Sequence, residues 1–136
     1  MVIFLIHWRI LPEQIDAFLE KWKSGLTVKN RDGLIGEFLS EVKDPSFFEN
    51  ITWELDEISD SDRSQLRSEQ FKSFVNVGLW RSKEDFLENI GGYFPKTPRA
   101  MESFEAAPRR RAVVDPVAWR IGAALLPSAT SSDVVF

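Results

Sequence analysis

The stretch that decides the fold is SFVNVGLWRSKEDF, residues 73–86. Its first part, residues 73–81, is rich in branched and aromatic side chains and reads as a strand. Ser82-Lys83-Glu84-Asp85 then opens a helix, with Ser82 as the cap and Asp85 in place of the usual Glu or Gln of a capping box. Phe86, Leu87 and Ile90 supply that helix with an apolar face, and Gly91-Gly92 ends it.

Working upstream, LIGEFLSEV at 34–42 is a second strand. Leu34, Gly36, Phe38, Ser40 and Val42 share one face; Ile35, Glu37, Leu39 and Glu41 share the other. Half of the second set is acidic, which predicts an edge strand, and glutamates there discourage unwanted pairing. Asn30-Arg31-Asp32-Gly33 before it is a turn. Residues 12–29 predict a helix. Pro12 suits its first position, Glu13 and Asp16 its dipole, and Ile15, Phe18, Leu19, Trp22 and Leu26 form one apolar stripe. VIFLIHWRI at 2–10 is apolar almost throughout, as a central strand covered on both faces should be.

Downstream, Thr97-Pro98 predicts a cap for a short helix through Ala106, with Met101 and Phe104 inward. RRRAVVD at 109–115 and VAWRIG at 117–122 are strand-like on either side of Pro116. The order β-α-β-β-α-β belongs to the α+β class and is that of a ferredoxin-like antiparallel sheet with helices on one face. The other face stays apolar, so a homodimer through a second sheet is expected.

One domain, residues 1–127, is expected of a chain of 136 residues. Residues 44–71 read as an insertion. Phe47, Phe48, Ile51, Trp53 and Leu55 make 47–55 a packed part, and 56–69 a mobile acidic loop. Residues 128–136 read as a flexible tail. The net charge of −4 argues against nucleic acid as a partner. With no cysteine and one histidine, thiolate chemistry and two-histidine metal sites are excluded. The longest apolar run, Val2–Ile6, is too short for a membrane span and lacks the flanks of a signal peptide, which predicts a cytoplasmic protein. Five tryptophans and eleven phenylalanines point to a dense core, a pocket for a flat ligand, or both.

The block Val75-Asn76-Val77-Gly78-Leu79-Trp80-Arg81-Ser82-Lys83-Glu84-Asp85-Phe86 resembles the vxxWxSxexF block of antibiotic biosynthesis monooxygenase-like proteins. These belong to the dimeric α+β barrel superfamily. The first strand and the Ile15/Phe18/Leu19/Trp22 helix resemble the opening of the family, and the likeness covers most of residues 1–122 apart from the insertion. It implies a pocket between the sheet and its own helices, lined at His7 and at Trp80. It implies a cofactor-independent monooxygenase-like protein, acting on or binding a flat aromatic or polyketide-like small molecule. The alternative is a barrel that binds small molecules or is structural, without chemistry. Haem-degrading members ligate iron through a histidine on or just after the second helix; residues 83–107 contain none, so no cofactor is expected.

The catalytic candidates are His7, Asn76 and Trp80. A neutral His7 would be a base that makes an electron-rich phenolate; otherwise it is a hydrogen-bonded core residue. Trp80 would stack on the ligand and orient it through its indole N–H, or would simply pack beside the second helix. Asn76 would donate to a carbonyl or superoxide oxygen, or make a structural hydrogen bond. Gly78 between them would leave space for a flat ligand. Trp8, Trp22 and Trp119 are assigned to core and interface. Arg109 and Arg111 should point one way and Arg110 the other. That favours salt bridges to the acidic insertion or a neighbouring subunit over one anion patch.

Overall fold

β1 (Val2–Ile10) is an interior strand, flanked by β3 (Lys72–Trp80) on one side and β4 (Arg110–Val114) on the other. β2 (Leu34–Glu41) pairs with the outer side of β3, giving the order β2-β3-β1-β4 with every pairing antiparallel. α1 (Ile15–Lys23) follows β1 through a short 3-10 turn, Pro12–Gln14, and α2 (Lys83–Ile90) follows β3. The structure is a computed structural model that describes residues 1–26, 28, 30–43, 70–90, 102–120 and 122–123. The result is an α+β fold whose strand order is consistent with the ferredoxin-like arrangement. β1 is central and β2 is an edge, as the apolar run and the glutamates predict. Among the described residues no helix is long and apolar enough to cross a membrane.

Alternation along β1 puts Val2, Phe4, Ile6, Trp8 and Ile10 on the side that both helices cover. Phe86 of α2 stacks on Phe4 there. Phe18 of α1, fully buried, lies 5.2 Å from the rings of both Trp8 and Phe74. Burying such a side chain contributes roughly 1.5–3 kcal/mol.

α1 stops at Lys23, short of the expected Lys29. Gly25 takes φ +95°, Gly25 N–H bonds Trp22 C=O, and Leu26 N–H bonds Lys21 C=O. This is a Schellman closure, open to glycine because of the positive φ. It folds Leu26 back onto the cluster that Phe18 occupies, so the apolar spacing continues past the end of the helix. The predicted start of α2 is present: Ser82 Oγ accepts from Asp85 N–H and donates to the Asp85 carboxylate.

β2 carries a register shift between Leu34 and Gly36. Leu34 pairs with Trp80 and joins the helix side, where Glu37 and Leu39 also lie; Phe38 and Ser40 face the other way. Strict alternation from Leu34, which grouped Leu34 with Phe38, fails because the bulge inserts Ile35.

At the C-terminal end the strand expected over 109–115 is β4, and no strand exists over 117–120. Val117 is fully exposed and Trp119 72% exposed, so Trp119 is not a core residue of the chain. Glu102–Ala107 forms turns and a bridge, Ile10 with Glu105, instead of the end of a helix. The start of that helix at Thr97, the insertion over 44–69 and the tail at 128–136 lie outside the described residues.

Candidate functional site

The antiparallel register sets Asn76 between Ile6 and Leu39, Gly78 between Phe4 and Glu37, and Trp80 between Val2 and Leu34. All lie on the helix side. There Trp22 Nε1 of α1 donates to Asn76 Oδ1 at 3.0 Å, and Asn76 Nδ2 donates to Glu37 Oε1 at 2.6 Å. An indole N–H can only donate, so it fixes which way the amide points and leaves Asn76 to donate onward. This relay falls where the aromatic core divides. One cluster holds Phe4, Trp80 and Phe86; the other holds Trp8, Phe18 and Phe74. Burial raises the Glu37 carboxyl above its ordinary range, while the Asn76 bond and the charge of Arg31 pull it back.

Trp80 is 1% exposed and meets Phe86 edge-on at 5.6 Å. A Cβ on residue 78 would lie 3.2 Å from Trp80 Nε1, so the glycine lets the indole edge sit over the strand. The space expected beneath a ligand is used by Trp80 itself. Neither Trp80 Nε1 nor Glu37 Oε2 is among the buried, unpartnered side-chain atoms of the described residues. The sequence reading took Glu37 as an edge deterrent and missed it as a site residue. The only signal available was its shared face with Leu39.

The structure brings Asn76 and Trp80 together and places His7 elsewhere. His7 pairs with Val75 and with Arg110, on the opposite face of the sheet. Its Nε2 shares a hydrogen bond of 2.8 Å with Ser73 Oγ. Burial first, then the charges of Arg110 and Arg9, lower its pKa to about 3. The unfolded chain protonates this imidazole near 6.5 and the native chain only near 3. Its contribution to stability is therefore intact above pH 6.5 and is lost as pH falls toward 3. His7→Phe should cost about 1–3 kcal/mol at pH 7 by stranding Ser73. The gap to the wild type should narrow at pH 5, and ligand binding on the helix side should not change. Denaturation midpoints at the two pH values check this; a constant gap would contradict a neutral buried His7.

Arg109 forms a buried ion pair. Its Nε donates to Glu105 Oε1 at 2.8 Å, and Glu102 N–H donates to Glu105 Oε2 at 2.8 Å. The guanidinium lies 4.0 Å above the Trp8 ring. Arg111 lies on the same side, opposite Ile6, and burial together with the Arg109 charge lowers its pKa to about 10. Arg110 faces the other way beside His7, as alternation predicts. Among the described residues the partner of Arg109 is a glutamate four residues upstream. Among the described residues no group of three or more potential metal ligands converges.

Fold and site together define an α+β protein with a hydrogen-bonded relay through the middle of its helix-side core. No family model matches the chain, and no curated protein matches it in sequence.

Proposed function

We propose that this chain is a monooxygenase-like protein of the dimeric α+β barrel kind, acting as a cytoplasmic homodimer. It binds a flat aromatic, polyketide-like small molecule on the helix side of its sheet and oxygenates it without a resident cofactor. The observation that carries this reading is the Trp22–Asn76–Glu37 relay between two aromatic clusters. A polar relay in an aromatic core suits a ligand that is apolar in its faces and polar at its edge. The resemblance of residues 75–86 to the monooxygenase-like block supports the same side of the sheet. With no cofactor, the electrons for oxygen come from the substrate.

The open face supports the dimer. Ile3, Leu5, Val75, Val77 and Leu79 are only half-buried there, and Phe38 is 40% exposed. A second copy of the same face would cover them.

A non-catalytic barrel is the second reading, favoured by the enclosure of Trp80 against Phe86 and by the remoteness of His7. One preparation separates the two. Light scattering should give twice the 15.6 kDa monomer mass. Tryptophan fluorescence should be quenched by 1,8-dihydroxyanthraquinone. With 1,8-dihydroxy-9-anthrone, oxygen uptake should exceed the protein-free rate, one oxygen atom entering the quinone and the other leaving as water. Quenching without extra uptake selects the non-catalytic reading; a monomer that quenches with neither compound defeats both.

A further inference from the structure

We draw no further inference here: the strongest candidate, the buried cluster of Trp8, Glu105 and Arg109 on the helix side of β1 beside the start of β4, carries nothing, because Arg109 and Glu105 are committed to each other and nothing among the described residues shows what would meet the unpartnered Trp8 indole N–H.

Discussion

Replacing Arg109 with alanine should lower the free energy of unfolding by about 3–5 kcal/mol, the usual cost of removing one member of a buried ion pair. Glu105 is fully buried and the Arg109 side chain 3% exposed, so water cannot take the place of the guanidinium. The variant also uncovers the face of Trp8, on which the guanidinium rests. Against a total stability of about 5–15 kcal/mol, that loss is a large fraction. The double variant Glu105→Leu/Arg109→Met should recover most of it, because two charges leave the interior together and the volume is kept. Urea midpoints of the wild type, single and double variants measure both statements. A single variant within about 1 kcal/mol of the wild type would mean that the pair is not buried in solution.

That pair shows where sequence reading stops. The order of elements was legible because each is punctuated locally. Ser82 and Asp85 cap α2, Asn30 to Gly33 turn the chain, and the apolar run of β1 marks a strand interior to its sheet. The partner of Arg109 was not legible, since four residues apart in a turn has no fixed geometry as it has in a helix. Gly25 ended α1 early, yet Leu26 kept the helical spacing, and the pattern hid the break. In β2 one inserted residue, Ile35, put Leu34 and Phe38 on opposite faces, where plain alternation grouped them.

The candidate site was half legible for a related reason. Parity within one strand groups Asn76 with Gly78 and Trp80, and His7 with Leu5 and Arg9. It does not say which group of β1 shares a side with which group of β3. That depends on the register, Ile6 opposite Asn76 and His7 opposite Val75, which is a property of the pairing and not of either strand. Glu37 was invisible as a site residue because its meaning comes from Asn76 on a neighbouring strand and, through it, from Trp22 on a helix.

Asn76 is therefore where structure and function are coupled most tightly, and Asn76→Leu should show it. Leucine is of similar size and fits the apolar surroundings of Ile6 and Leu39. It removes the acceptor of Trp22 Nε1 and the donor to Glu37 Oε1 at once. Each stranded group costs about 1–3 kcal/mol when water cannot replace the lost bond. Trp22 and Glu37 are only partly buried and regain some hydration, so about 2–4 kcal/mol is expected in total. Trp22→Phe alone should cost less, and Trp22→Phe with Asn76→Leu less than the sum of the two, because Trp22→Phe removes the donor that Asn76→Leu strands. Near-additive losses in that cycle would show that the relay is a coincidence of packing.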